Sequence, residues 1–166
     1  MNEVEQEEMR NRDIAKRLAA RAELLDVRLL KVLAELESQP TRSNGLAYSV
    51  NSDVEVEYED GDSHFVVSVT YNIDIEEPRM SSDDEAESGS KIAGIRFTQA
   101  ALYALDMRED ESWPAAEEMG AFGATTGQFA LYPYAREFVS SMSMRLGLPA
   151  LTLPMFKLAT NSGDKK

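Results

Sequence analysis

The chain contains no cysteine, which excludes disulfides and thiolate metal sites outright. It lacks a basic surplus as well: its net charge of −13 argues against a nucleic-acid partner, because phosphates select basic surfaces. Long apolar runs are missing too. No stretch approaches the roughly 18 apolar residues of a membrane helix, so no membrane insertion is expected. The N-terminus, Met1-Asn2-Glu3-Val4-Glu5-Gln6-Glu7-Glu8, has neither the basic start nor the apolar core of a secretory signal. These absences lead us to expect a soluble, cytoplasmic protein. Histidine occurs once, as His64 beside Ser63 and acidic residues. A surface turn explains it better than a catalytic triad, since sequence adjacency says nothing of triad geometry. Asp53, Glu55, Glu57 and Glu59 alternate along a strand and diverge from any common centre, and no calcium-loop pattern is present. Gly123-Ala-Thr-Thr-Gly127 lacks the Gly-Lys-Ser/Thr ending of a phosphate loop. No catalytic residue, metal site or cofactor is expected.

What is present suits one domain of 166 residues with an ordinary hydrophobic fraction of 43%. Residues 3–22 read as a helix, with Met9, Ile14, Leu18 and Ala22 near one face. Residues 23–36 leave helix and strand in competition: Leu25, Val27 and Leu29 alternate with Asp26 and Arg28, but leucine suits both states. Pro40, Asn44 and Gly45 mark a turn. Residues 46–59 read as a strand, Asp60-Gly61 as a hairpin turn, and Phe65 to Ile75 as a half-buried antiparallel strand of strict alternation. Residues 77–90 read as a flexible acidic loop. A strand resumes at Lys91, with Ala100 to Leu105 ambiguous. Trp113-Pro114 opens a short helix, Met119 to Gln128 is a weak helix or bend, and a proper helix follows Pro133 and stops at Gly147. Strands followed by helices indicate an α+β fold, a four-stranded antiparallel sheet with helices on one face. The C-terminal part adds more apolar residues than so small a core needs, and the remainder would form a binding patch. Eight methionines suit an adaptable groove or core filling alike.

The run Leu131-Tyr132-Pro133-Tyr134-Ala135-Arg136-Glu137, with Ser141, Met142, Arg145 and Pro149-x-Leu151-x-Leu153, resembles the signature of the SecB family, tetrameric chaperones that hold unfolded polypeptides. Arg17 to Ala22, and Ala124-Thr-Thr-Gly127 leading into Phe129 to Tyr132, look more like the actinobacterial SecB-like branch, some of which protect an antitoxin. The resemblance tips residues 23–36 to a first strand. It implies a domain made of an N-terminal helix (1–22), sheet (23–106), helices (113–147) and an apolar segment with tail (148–166). It further implies an ATP-independent holdase, assembled as a homotetramer of paired dimers. Tyr134, Arg136, Glu137, Ser141 and Arg145 would lie in the inter-subunit helix. Leu25, Val27, Leu29, Leu148, Leu151, Leu153, Met155 and Phe156 would form the hydrophobic client groove. Clients would be preproteins, with SecA as a further partner, or an antitoxin. The sequence departs from the export chaperones in lacking room for their final long helix and in having no recognisable tail for SecA. The alternative is a non-chaperone oligomeric domain binding a small apolar ligand.

Overall fold

The computed structural model describes residues 3–41, 45–78, 89–108 and 110–155. Four antiparallel strands, β1 (Ala22–Leu36), β2 (Ala47–Glu57), β3 (His64–Glu77) and β4 (Ser90–Leu105), form one sheet in the order β1-β4-β3-β2. The hairpin between β2 and β3 turns at Gly61, whose φ of +88° is open to glycine at little cost. Strand β3 keeps the alternation of its sequence: Phe65, Val67, Val69, Tyr71, Ile73 and Ile75 are all buried on one face. Strand β4 lays Ala93, Ile95, Phe97, Ala101, Tyr103 and Leu105 beside them. The ambiguous stretch Ala100 to Leu105 is strand to its end, because it pairs with β1 on one side and β3 on the other. The opposite, outer face mixes polar and apolar residues, with Thr70 and Thr98 hydrogen-bonded across the two central strands at 2.9 Å and Val66 opposite Leu102.

Strand β1 corrects the simple alternation of Leu25, Val27 and Leu29. Its register against β4 slips at Leu24/Asp26 and at Leu29/Lys31, leaving Leu25 and Leu30 as extra residues of two β-bulges. Between and beyond the slips, Leu24, Val27, Leu29, Val32, Ala34 and Leu36 pair with the inward residues of β4, while Asp26, Arg28 and Lys31 pair with outward ones. Each bulge restores a phase that strict alternation would lose. Leu24, not Leu25, therefore belongs to the inward row.

Helices cover that inner face. Helix α1 (Glu3–Ala19) buries Ala15 and Leu18, chiefly against the later helices, and ends earlier than the pattern through Ala22 implied. The reason is the sheet edge: Arg21 O accepts from Asp106 N at 2.9 Å, so the chain is already extended there. Helix α2 (Ala116–Phe122) starts two residues after Pro114, with Glu118 accepting the Ala115 N–H at 3.0 Å. A π-helical turn, Gly123–Gly127, continues directly into helix α3 (Gln128–Arg145). The weak helix or bend at Met119 to Gln128 is thus one continuous helical path, and Pro133 lies inside α3 instead of opening it. The two glycines let the path lie flat on the sheet: Gly123 faces Val54 and Val56, and a Cβ on Gly127 would stand 2.8 Å from Val67 Cγ1. Burial of Leu131 and Ala135 on either side of Pro133 holds the helix through the missing N–H. Phe122 packs edge-on to Phe65 and Tyr103, and Phe138 tilts onto Phe97 at 4.5 Å. Helix α3 stops where expected, at Gly147 with φ +78°, where Leu148 N returns to Ser143 O at 3.0 Å.

Candidate functional site

The helical layer leaves two regions of the inner face open. The first is an apolar cavity of about 390 Å³ at the end of the sheet. Pro40 and Leu46 from the β1–β2 connection, Ile75 of β3, and Leu148, Pro149, Ala150 and Leu151 after α3 line it. The sheet register builds one wall, since Tyr48 stands opposite Ile75 and brings Leu46 alongside. The connection is pinned by Glu77, whose carboxylate accepts from Thr41 N at 3.0 Å and Thr41 Oγ1 at 2.9 Å. The other wall depends on the helix stop: Ser143 Oγ accepts from Leu151 N at 2.9 Å and donates to Ser140 O at 3.0 Å. With side chains of this kind the cavity attracts apolar groups by excluding water from them, at about 25 cal/mol per Å² removed from water.

From Leu151 the chain runs extended along α3. Tyr132 Oη donates to Pro154 O at 2.6 Å, Arg136 Nε to Leu153 O at 3.0 Å, and Tyr48 Oη to Thr152 O at 3.3 Å. Burial holds the Tyr132 hydroxyl above the ordinary tyrosine range, partly offset by the Arg136 guanidinium, so it remains a donor.

The second open region is the β1 side of the inner face. Leu24, Leu29 and Val32 there are exposed, together with the bulge residues Leu25 and Leu30, the latter at 60%. The outward stripe of α3 is also poor in charge: Phe129, Tyr134 and Met144 are exposed on it, with Glu137 and Arg145. Apolar exposure on this scale marks interaction surfaces in a folded chain.

The expected groove residues divide between these places. Leu148 and Leu151 line the cavity. Leu153 is fully buried, so it supports the segment from beneath and offers no surface. Met155 is 70% exposed beside Arg136, and Phe156 lies outside the described residues. Leu25, Val27 and Leu29 belong to β1, a strand that does not line the cavity. Of the expected interface residues, Tyr134, Glu137 and Arg145 are exposed and Ser141 is half-buried, whereas Arg136 is engaged within its own chain. Pro40, Leu46, Tyr48, Ile75, Tyr132 and Ser143 were missed. Tyr132 stood in the conspicuous motif and Pro149 marked the turn, but Leu46 and Pro40 join the cavity only through sheet register.

His64 Nδ1 is 2.8 Å from Ser63 Oγ, yet the neighbouring Asp62 carboxylate accepts from the Ser63 backbone and does not orient the ring. Among the described residues no cluster of three or more His, Asp or Glu is arranged to hold a metal, and no helix is long and apolar enough to cross a membrane.

No family model matches the chain. It is 37% identical over 147 residues to the SecB-like chaperone Rv1957 of Mycobacterium tuberculosis H37Rv, across 84% of this chain and 80% of the relative. The SecB-like chaperone MT2006 of Mycobacterium tuberculosis CDC 1551 is 37% identical over 145 residues with the same coverage. Among solved structures, Rv1957 in complex with a ChAD peptide from the Rv1956 HigA1 antitoxin matches with a TM-score of 0.77 and 34% identity. That match covers 91% of this chain and 99% of the other. No enzyme family is indicated by these relatives.

Proposed function

Since this chain belongs to the SecB-like chaperone family, we propose that it is an ATP-independent holdase that takes extended, apolar segments of unfolded polypeptides into the cavity beside Leu148–Leu151. The observation that carries this reading is the cavity itself, open, apolar and built from segments far apart in sequence. Binding there needs no catalytic group. An antitoxin is the favoured client, because Rv1957 is seen in complex with an antitoxin peptide. Preproteins, with SecA as the onward partner, are the other client class, and a cytoplasmic location fits both. The net charge of −13 favours clients with basic segments and keeps an apolar surface soluble.

Assembly belongs to the same proposal. Copies of the chain join into a tetramer of paired dimers, burying the open face of β1 and the stripe of α3 that carries Tyr134, Glu137, Ser141 and Arg145. Several grooves on one particle then act together on one long client.

The test is suppression of aggregation. Without nucleotide and near stoichiometric ratio, the protein should keep a denatured protein from scattering light. Ala150→Asp, which places a charge at an exposed position of the cavity wall, should abolish most of that protection while leaving the melting temperature of the protein nearly unchanged. Full protection by this variant would move the site elsewhere. A small apolar ligand is the competing occupant, since the cavity is within the size range of small-molecule sites. It requires saturable binding of a small molecule and no protection of unfolded protein.

A further inference from the structure

Three consecutive carbonyls after α3 are each gripped by a different side chain: Thr152 O by Tyr48, Leu153 O by Arg136, Pro154 O by Tyr132. One donor stands on the edge strand β2 and two on α3, so the stretch is strapped between strand and helix. All three grip the main chain, which is alike in any extended peptide. The side chains alternate as in a strand, with Leu151 and Leu153 turned inward and Thr152 and Pro154 exposed. Yet the strap forms no strand pairing with β2 or any other described strand. Its near end is fixed, since Leu148 N and Leu151 N are both held by Ser143. Its far end carries Met155, which is 70% exposed and has its sulfur 3.6 Å from Arg136 Nη1.

We infer that residues 151–155 are a built-in stand-in for a client, filling a main-chain cradle made by Tyr48, Tyr132 and Arg136 that an extended client segment takes over once the strap peels away. The inference rests on the holdase reading and deepens it. Leu151 belongs to both the cavity wall and the strap, so a client entering the cavity meets the strap next. The ligand class follows from the occupant: an extended peptide with apolar residues at every second position, read by its carbonyls and little by its sequence. A strap that must leave first lowers the apparent affinity by the fraction of chains in which it has left. Weak segments are thereby refused while long or repeated ones are held.

The probe is a fluorescent peptide with the sequence of residues 151–155, preceded by two lysines, followed by anisotropy on the full chain. Leu153→Asp should eject the strap and tighten binding of this peptide by about tenfold or more, as removal of a competing occupant requires. In that released background, Tyr132→Phe and Tyr48→Phe should each loosen binding several-fold, because the peptide now uses their hydroxyls. Leu153→Asp binding no tighter than the unmodified chain, with a normal thermal melt, overturns the inference. So does indifference to both tyrosine substitutions. Should Leu153→Asp fail to fold, a nitroxide on Met155→Cys, in a chain with no other cysteine, reads the strap directly. It should gain mobility when peptide is added to the otherwise unmodified chain. A label that stays still while peptide binds overturns the strap and leaves the holdase reading standing. Failure of every variant to bind peptide or to suppress aggregation overturns both.

Discussion

Tyr71 shows how far a single atom departs from the pattern of this core. Its ring stacks on Phe97 with centroids 5.0 Å apart, but its buried hydroxyl finds no partner among the described residues. Tyr71→Phe should therefore raise stability by about 1 kcal/mol, the cost of an unpaired buried polar group, seen as a melting temperature about 2–4 °C higher. Burial also pushes the Tyr71, Tyr103 and Tyr132 hydroxyls above the ordinary tyrosine value. Unfolded tyrosines lose their protons near pH 10 while the folded ones keep theirs. Stability is thus unaffected by these groups below about pH 10 and falls as pH rises beyond it, as ionisation favours the unfolded chain. Melting curves from pH 8 to 11 should show that fall, and Tyr71→Phe should flatten it; an unchanged slope would count against burial as its cause. Two glycines make a second contrast. Gly127→Ala drives a methyl into Val67 and should cost about 1–3 kcal/mol. Gly120→Ala, with nothing within 4 Å, should be neutral or stabilise by about 0.5–1 kcal/mol.

Among the elements, legibility in the sequence tracked how local the governing physics is. Strand β3 was readable because every second residue from Phe65 to Ile75 is buried on the same face. Strand β1 was not, because its alternation is interrupted at Leu25 and Leu30, and only the partner strand reveals that the two halves share one face. The α2–α3 path was hidden for another reason. Gly123, Gly127 and Pro133 each weaken a helix in isolation, and here close packing on Val54, Val56 and Val67 outweighs that weakness. The cavity was half readable: Leu148 and Leu151 follow a visible helix stop, whereas Pro40, Leu46 and Ile75 are brought in by register. The bulges lend themselves to a direct test. Deleting Leu30 leaves Leu29 opposite Gln99, Lys31 opposite Thr98 and Val32 opposite Phe97, all still in phase. The shortened chain should fold with a melting temperature within a few degrees of the original. Loss of folding would show that the bulge itself is needed.

At the scale of the whole molecule, the buried core lies over β3 and β4, and β1 is left as an apolar margin. Leu29→Lys combined with Val32→Lys should place two charges on that margin without disturbing the buried core. Light scattering should then report smaller particles than the unmodified chain, with unchanged circular dichroism; particles of equal size would exclude β1 from the interface. The same margin governs how the molecule comes into being. Among the described strands β1 comes first in the chain, yet the one it pairs with, β4, comes last of the four. At about 5–20 residues per second of synthesis, Ala22 waits roughly 4–17 s for Leu105 to appear. Throughout that interval a leucine-rich segment is left without the strand it pairs with. On the holdase reading, each chain in those seconds presents the same kind of apolar segment that it is proposed to hold.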